Sequence, residues 1–362
     1  MTTSIQSTAL EPDRSLDGDA ATLVQRLTRA MPVYGLVVLT VSLAVLFSVM
    51  LPDTFPTLFN LRAILADKSV IAILALAATI PMITGKIDLT VGYGIVFWHI
   101  LAISLQTEFG IPWPLAVALV IACAGLFGML NGLLVEMAQI DSFIATLGTG
   151  TVIYAVAMWH SGGRQVVGEL PDGFVEIAGG NFLGLPMGAY YVLVVSVVMW
   201  LVTEFTPSGR ALYIIGANPK AAQLNGIAVR KHVMSAFVAS GALSGFAGVL
   251  LASRLQIGQA SVGLEFLLPA LVGAFLGSTT IRPGRVNVWG TLVGVAILAI
   301  GISGIQQFGG AFFVEPLFNG LTLLVSIGIA GWAQQRRNQS IKRRIAERQL
   351  NDAPPCSPST AG

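Results

Sequence analysis

Long apolar runs, separated by short polar stretches, divide most of the chain into segments. Ten runs stand out: Val33–Leu51, Val70–Thr84, Val91–Leu105, Trp113–Val135, Phe143–Trp159, Tyr190–Phe205, Val233–Leu255, Leu264–Leu276, Val288–Ile305 and Pro316–Trp332. A helix that crosses the hydrocarbon core of a bilayer needs about 20 predominantly apolar residues. The pattern therefore predicts an all-α, polytopic membrane protein with about ten transmembrane helices.

Some runs are short and contain glycine or proline, notably residues 81–94 and 263–277. Short or broken helices occur at membrane depth where they are buried in protein or line a pathway. The two positions are a weak indication of two inverted halves. Another run carries Gly241, Gly245 and Gly248, which favours close helix packing.

Composition strengthens the membrane assignment. The chain has 362 residues, of which 54% are hydrophobic and 10% charged, whereas soluble domains average about 25% charged residues. Its mean hydropathy is +0.78. We predict a polar cytoplasmic tail over 1–30, a transmembrane domain over 31–332 and a basic cytoplasmic tail over 333–362. The polar segment after Met1 gives no reason to expect a cleavable signal peptide.

The basic residues indicate how the helices are oriented. With the N-terminus in the cytoplasm, all but four of the 20 lysines and arginines fall on the cytoplasmic side. The four outside are Arg62, Lys68, Arg164 and Arg254. Cytoplasmic loops of membrane proteins carry an excess of basic residues, so both termini are predicted to be cytoplasmic.

One polar stretch, GRALYIIGANPKAAQLNGIAVRKH at 209–232, differs from the other loops. Asn218 is suited to cap the start of a helix, Pro219 fits its first position and Gly226 suits its end. The residues between them are mostly good helix formers. The stretch therefore predicts a one- to two-turn helix on the cytoplasmic side. It is either an ordinary polar loop or a docking element for a soluble partner.

The local motifs of common catalytic and nucleotide sites are missing from the sequence. It contains no GxxxxGK[ST], HExxH, CxxC or GxSxG. We interpret the scattered His99, His160 and His232 as packed or interfacial residues. An ion-gradient-driven carrier usually needs buried carboxylates, and the nearest candidates, Asp88 and Glu265, lie near helix ends. A secondary carrier of a small polar solute stays the alternative, and a membrane-embedded enzyme would need a clustered catalytic constellation.

Four segments, taken in order, carry a resemblance to one family. They are GKIDLTVG at 85–92, NGLLVEMAQIDSFIATLGTGTVIY at 131–154, GRALYIIGANPKAAQLNGI at 209–227 and, more loosely, GSTTIRPGRVNVWGTLVG at 277–294. Together they resemble the permease subunits of bacterial ATP-binding-cassette importers for ribose, xylose, galactose and related monosaccharides. The resemblance spans roughly residues 61–332. Arg282-Pro283 departs from the small residues usual in the family, which indicates a divergent branch.

This resemblance implies a permease subunit, not an enzyme, that moves a monosaccharide or sugar alcohol into the cytoplasm across the bacterial inner membrane. ATP and Mg would bind to separate ATPase subunits, and this chain would hold no cofactor or metal. The implied partners are the ATPase subunits, an extracytoplasmic sugar-binding protein, a second permease in a homodimer or other pair, and membrane lipid. No nucleic-acid partner is expected. Which pentose, hexose or polyol is carried stays open.

The resemblance also implies a role for the short helix. In such importers a cytoplasmic coupling helix docks in a groove of the ATPase subunit. The residues assigned to it here are Gly216, Asn218, Pro219, Ala221, Ala222, Leu224 and Gly226. The two alanines would allow a partner to approach closely, and Leu224 would fill a pocket.

A second set of polar residues forms the candidate substrate pathway: Asp88, Thr90, Thr146, Thr149 and Thr151. Threonine hydroxyls can bond to sugar hydroxyls, but in apolar helices they also bond to their own backbone. Asp88 suits either a helix cap or a position beside the pathway. Lys86, which replaces the family's usual glycine, is predicted to stand beside Asp88 as a local ion pair.

The longest external loop is predicted over residues 160–189. Its acidic character comes from Glu169, Asp172 and Glu176. It is interpreted either as a plain surface loop or as part of the surface that seats the sugar-binding protein.

Overall fold

The structure, a computed structural model, describes residues 34–282, 284–310, 313–325 and 328, and both predicted tails lie outside this range. The helices are α1 (Tyr34–Met50), α2 (Leu58–Ile83), α3 (Thr90–Thr107), α4 (Trp113–Glu136), α5 (Ser142–Ser161), α6 (Asp172–Gly179), α7 (Met187–Phe205), α8 (Pro207–Ala217), α9 (Pro219–Leu224), α10 (Val229–Leu255), α11 (Leu267–Leu276), α12 (Val288–Gln307) and α13 (Val314–Val325). A two-residue hairpin, β1 (Asn181–Phe182) and β2 (Leu185–Pro186), joins α6 to α7. A 3-10 turn, Leu264–Phe266, precedes α11.

The predicted all-α membrane architecture is confirmed in its broad form. Among the described residues, seven helices are long and apolar enough to cross a membrane: α2, α3, α4, α5, α7, α10 and α12. Three shorter apolar segments, α1, the stretch Leu264–Leu276 and α13, fall at the remaining predicted runs. Part of the last run, from residue 329 to Trp332, lies outside the described residues.

Helix α2 extends well beyond the predicted run, which began at Val70. It starts at Leu58, where the Thr57 hydroxyl accepts a hydrogen bond from the Asn60 N–H at 3.1 Å. Two charged residues further along α2, Asp67 and Lys68, are paired with each other and with neighbouring elements. The Lys68 ammonium lies 2.8 Å from an Asp67 carboxylate oxygen and 3.4 Å from Glu315 on α13. The sequence boundary was wrong because these charges interrupt the hydropathy signal without interrupting the helix.

The core of the bundle is formed largely by α2, α3 and α10, with α4 packed closely against α10. The α4–α10 crossing depends on glycine. A Cβ atom on Gly128 would lie 2.2 Å from the Phe237 carbonyl oxygen, and one on Gly241 would lie 2.3 Å from the Ala124 carbonyl oxygen. The predicted close packing along the glycines of α10 is therefore confirmed at Gly241.

The predicted long external loop is partly ordered against the bundle. Phe174 of α6 is fully buried, and its carbonyl accepts a hydrogen bond from the Ser253 hydroxyl of α10 at 2.7 Å. A β-bridge pairs Val166 with Gly258 beyond the end of α10. The acidic Glu169, Asp172 and Glu176 stay exposed. This segment therefore presents an acidic surface at the end of the bundle opposite to α9.

Candidate functional site

The short helix predicted in the polar stretch is α9, and its ends are fixed by the side chains that the sequence indicated. The Asn218 side-chain oxygen accepts a hydrogen bond from the Ala221 N–H at 3.0 Å. Pro219 occupies the first turn, where its missing N–H has no helical partner. The helix ends at Leu224 with Asn225 as its C-cap, and Gly226 follows with a φ of +77°, a conformation that favours glycine. The predicted capped helix is confirmed.

One side of α9 packs onto the permease. Ala222 is fully buried and belongs to an apolar cluster whose other buried members form what we call the α9 seat: Val135, Ala145, Ile215, Val233 and Phe237. These residues come from α4, α5, α8 and α10. The prediction that Ala222 approaches a partner is therefore wrong, because the helix turns this residue into its own chain. Ala221 is half-buried beside it.

The other side of α9 faces away from the bundle. The Leu224 side chain is 89% exposed, and Lys220 and Gln223 are exposed beside it. A single exposed apolar side chain is common on protein surfaces, but Leu224 differs in standing on a short helix that Ala222 fixes to the bundle. Its docking role stays a prediction.

Gly216, which the sequence assigned to the coupling helix, lies in α8 and not in α9. A Cβ atom on Gly216 would lie 2.0 Å from the Ile83 carbonyl oxygen at the end of α2. The glycine thus lets α8 pack closely against α2. This contact helps to set where α8, and the α9 helix that follows it, lie. Asn218 ends α8 and also caps α9, so the two helices meet at a single residue.

Four of the five candidate pathway residues lie in one buried polar region between α3, α4, α5 and α10. Within it, a chain of side-chain hydrogen bonds, which we call the Asp88 network, joins Ser240, Asp88, Thr90, Asn131 and Thr149. The Ser240 hydroxyl donates to Asp88 at 2.8 Å, and the Thr90 hydroxyl and N–H donate to its other oxygen. The Asn131 amide donates to the Thr90 hydroxyl at 3.0 Å, and the Thr149 hydroxyl donates to Asn131 at 2.7 Å.

Thr146 ties the polypeptide between α2 and α3 to α5. Its hydroxyl oxygen accepts from the Leu89 N–H at 3.1 Å, and the hydroxyl donates to the Ser142 carbonyl at 2.7 Å. The Ser142 hydroxyl accepts from the Ile87 N–H at 3.2 Å. Thr151 is not brought to this region, since it is exposed and bonds to the Gly148 carbonyl of its own helix. The assignment of these residues to a substrate pathway stays a prediction.

The predicted ion pair between Lys86 and Asp88 is wrong. The Lys86 ammonium lies 3.7 Å from a Glu136 carboxylate oxygen at the end of α4. Asp88 points into the bundle toward Thr90 and Ser240, where it is fully buried. Gly85, with a φ of +79°, turns the chain at the end of α2, ahead of both residues. Asp88 does bond to the first turn of α3, as predicted for a cap.

The two broken segments of the sequence meet inside the bundle. A Cβ atom on Gly92, in the first turn of α3, would lie 2.4 Å from the Leu267 Cβ at the start of α11. One on Gly263 would lie 2.8 Å from a Val96 methyl group. The Glu265 carboxylate accepts a hydrogen bond from the Gly263 N–H at 2.9 Å. Interrupted helices that meet in this way are typical of transporter substrate pathways.

The polypeptide between α11 and α12 folds onto α7 and α8, close to α9. Arg282 forms an ion pair with Glu204, and a hydrogen bond from its guanidinium raises the pKa of Arg282. The Arg285 guanidinium stacks 3.5 Å above the centre of the Tyr213 ring, and burial raises the pKa of Tyr213. Both arginines therefore join this loop to the helices that carry α9.

Sequence reasoning missed Asn131, Ser240 and Ser142 as members of the buried polar region. The available signal was their polarity within apolar runs, since polar residues at membrane depth need partners. Their partners lie far away in the sequence, as Ser240 and Asp88 are 152 positions apart. In the described part of the chain, no group of three or more His, Cys, Asp or Glu residues could hold a metal ion.

Comparison with known proteins places this architecture among transport proteins. The family described as the branched-chain amino acid transport system, permease component, matches residues 60–330. The ribose import permease protein of Haemophilus influenzae is 31% identical over 288 residues, which cover 79% of this chain and 88% of the relative. That of Bacillus subtilis is 31% identical over 297 residues, with 82% and 90% covered. The autoinducer 2 import system permease protein of Escherichia coli K12 is 29% identical over 307 residues, with 83% and 92% covered.

No solved structure matches the chain. The family match includes α9, the Asp88 network and every described helix from α3 to α13. This chain therefore belongs to the branched-chain amino acid transport system permease component family, as a multi-pass membrane permease subunit of an ATP-binding-cassette importer.

Proposed function

We propose that the chain carries a monosaccharide or a sugar alcohol into the cytoplasm, driven by a separate ATPase subunit that docks on α9. The observation that carries the proposal is the geometry of α9. Its Ala222 side is anchored in the α9 seat while Leu224 is 89% exposed. A short helix held in this way presents a fixed apolar contact to a partner and passes force to the helices below it.

The substrate class is supported by the relatives and by the chemistry of the interior. Two relatives are named for ribose import and one for autoinducer 2 import. The interior has hydroxyl and amide groups near the broken segments, from Thr90, Asn131 and Thr149. Such groups donate and accept hydrogen bonds, which suits a substrate with several hydroxyls. They lie beside the proposed path, where weak binding would be sufficient because a separate binding protein would hold the specificity.

The proposed topology has ten membrane crossings and both termini in the cytoplasm, with α8 and α9 on the cytoplasmic side. Two sets of contacts support it. Lys86, Arg282 and Arg285 are paired at the α9 end of the bundle. Lys68 and Arg254 are paired at the opposite end, where Arg254 lies 2.9 Å from Asp67. The exposed Arg210, Lys220, Arg230 and Lys231, on α8, α9 and the start of α10, add to the basic residues of the α9 end, which supports its assignment to the cytoplasmic face.

The remaining partners follow from the same proposal. A homodimer would place two copies of α9 against two ATPase subunits, which would bind ATP and Mg. An extracytoplasmic sugar-binding protein would deliver the substrate to the end opposite to α9. The exposed acidic residues Glu169, Asp172 and Glu176 are the proposed contact surface there.

Reconstitution tests the proposal. The chain is purified from its native membranes in mild detergent with the ATPase that accompanies it, and is placed in lipid vesicles with the extracytoplasmic binding protein. Uptake of D-ribose, D-xylose, D-galactose and ribitol is then measured. We expect uptake of at least one of them that requires ATP and is unaffected by ionophores. Uptake by this chain alone that ionophores abolish would instead establish the secondary carrier.

A further inference from the structure

Two layers of contacts lie about one helical turn apart on the same three helices. The first layer is the α9 seat and the second is the Asp88 network. The paired positions are Val135 and Asn131 on α4, Ala145 and Thr149 on α5, and Phe237 and Ser240 on α10. Residues three or four positions apart share one face of a helix and are about 5 to 6 Å apart. A displacement of the seat residues is therefore transmitted to the network over about one turn of each helix.

Among the described residues, helix α3 contributes to the Asp88 network and not to the α9 seat. None of the described seat residues belongs to α3. Its first residue, Thr90, and the preceding Asp88 instead receive the hydrogen bonds that come from α4 and α10. Two residues further on, Gly92 packs against Leu267 of the second broken segment. The network thus stands between the helices that hold α9 and the place where the two broken segments meet.

We propose that Asp88 is a positioning residue that couples α3 to the helices of the α9 seat, so that movement of a docked α9 reaches the broken segments. This inference rests on the proposed function, because it requires an ATPase subunit on α9.

The physical basis is the directionality of buried hydrogen bonds. Apolar contacts are non-directional and allow packed helices to slide, whereas hydrogen bonds fix both distance and angle. Asp88 is fully buried and accepts three hydrogen bonds, from the Ser240 hydroxyl and from the hydroxyl and N–H of Thr90. Without the carboxylate these donors lose their acceptor, which is costly in an apolar interior. Between α10 and α3 there then remain apolar packing and the hydrogen bond from the Ser244 hydroxyl to the Val91 carbonyl at 2.9 Å, one turn further from the seat.

The test separates movement of α3 from docking of the ATPase. Cys123 and Cys356 are replaced by serine, and spin labels are attached through Glu108→Cys, at the exposed end of α3, and Phe308→Cys, at the exposed end of α12. Unlabelled chain is co-expressed in excess, so that a complex carries at most one labelled copy. The complex with its ATPase is placed in lipid nanodiscs. The distance between labels is measured by pulsed electron spin resonance, without nucleotide and with ATP and orthovanadate.

The variants differ in what they do to the network. Asp88→Ala removes all three acceptor contacts, and Ser240→Ala removes only the contact with α10. Asp88→Asn keeps an acceptor toward Thr90 and can donate to the Ser240 oxygen, so it serves as the conservative rescue. Thr151→Ala is the matched control, because Thr151 lies on α5 but bonds only to its own helix.

We expect nucleotide to shift the distance in the parent, in Asp88→Asn and in Thr151→Ala. Asp88→Ala and Ser240→Ala should lose at least half of the shift while they bind the ATPase as the parent does. An unchanged shift in Ser240→Ala overturns the proposal, and so does a parent in which the ATPase binds but no shift occurs. Loss of ATPase binding in Ser240→Ala also overturns it, since the network would then only maintain the seat. If no ATPase accompanies the parent chain, the proposed function itself fails.

Discussion

Replacing Leu224 with alanine measures how much the exposed side of α9 contributes to the proposed docking of the ATPase subunit. The substitution removes three carbon atoms from a side chain that is 89% exposed in the isolated chain. Burial of a methylene-sized group contributes about 0.8 kcal/mol, so complete burial of three contributes about 2.4 kcal/mol. Scaled by the exposed fraction, the expected loss is about 2 kcal/mol. Since about 1.4 kcal/mol is tenfold in an equilibrium constant, the Kd for the ATPase subunit should rise roughly 30-fold.

The assay is a titration of nanodisc-embedded permease with the purified, labelled ATPase subunit, followed by fluorescence anisotropy. Leu183→Ala is the matched control, because Leu183 is also a leucine, is 85% exposed and lies in the hairpin between α6 and α7 at the opposite end of the bundle. It should leave the Kd unchanged. An equal Kd for Leu224→Ala and the parent would refute the reasoning, and an equal loss in both variants would show a non-specific effect of surface leucines.

Three further substitutions test the contacts around the site. Ala222→Glu should lower the Tm of the solubilised chain, because it places a carboxylate among buried apolar side chains. Lys220→Glu, at an exposed position of the same helix, should leave the Tm unchanged. Equal Tm values for the two variants would contradict the burial of Ala222. Gly241→Val should cost about 1–3 kcal/mol of stability through its clash with the Ala124 carbonyl, and Gly148→Val, at a position open to space, should keep the parent's Tm. Asn218→Ala should weaken ATPase binding about fivefold, because it removes a helix cap worth about 1 kcal/mol. Asn218→Asp should keep both the cap and the parent's Kd. The same Kd for both variants would exclude the cap as the cause.

Local signals predicted α9 almost to the residue, because Asn218, Pro219 and Gly226 each suit one particular position at a helix end. The buried side of α9 could not be predicted in the same way. A six-residue helix has less than two turns, too few for an apolar period to define a face. The burial of Ala222 is decided instead by packing against α4, α5, α8 and α10, and the seat residues of α4 and α5 are distant in sequence.

Hydropathy placed most of the membrane helices and failed where charge and helix coincide. The first half of α2 contains Asp67 and Lys68, which lower the apolar signal, whereas the helix itself continues through them and the two charges are paired. The Asp88 network illustrates a second difficulty. The polarity of Asp88 and Thr90 was visible in the sequence, but the partners on α4 and α10 follow only from the packing of distant helices.

The dependence of α9 on its seat has a consequence for biogenesis. A six-residue helix does not persist in water by itself, because forming the first turn restricts more backbone than its few hydrogen bonds can compensate. The contact around Ala222 exists only when α4, α5, α8 and α10 have packed together. If the ATPase subunit docks on α9 as proposed, an incompletely folded chain would offer it no formed docking helix. The ATPase would then join the permease only after these four helices have packed, so that ATP is not hydrolysed on an unassembled permease.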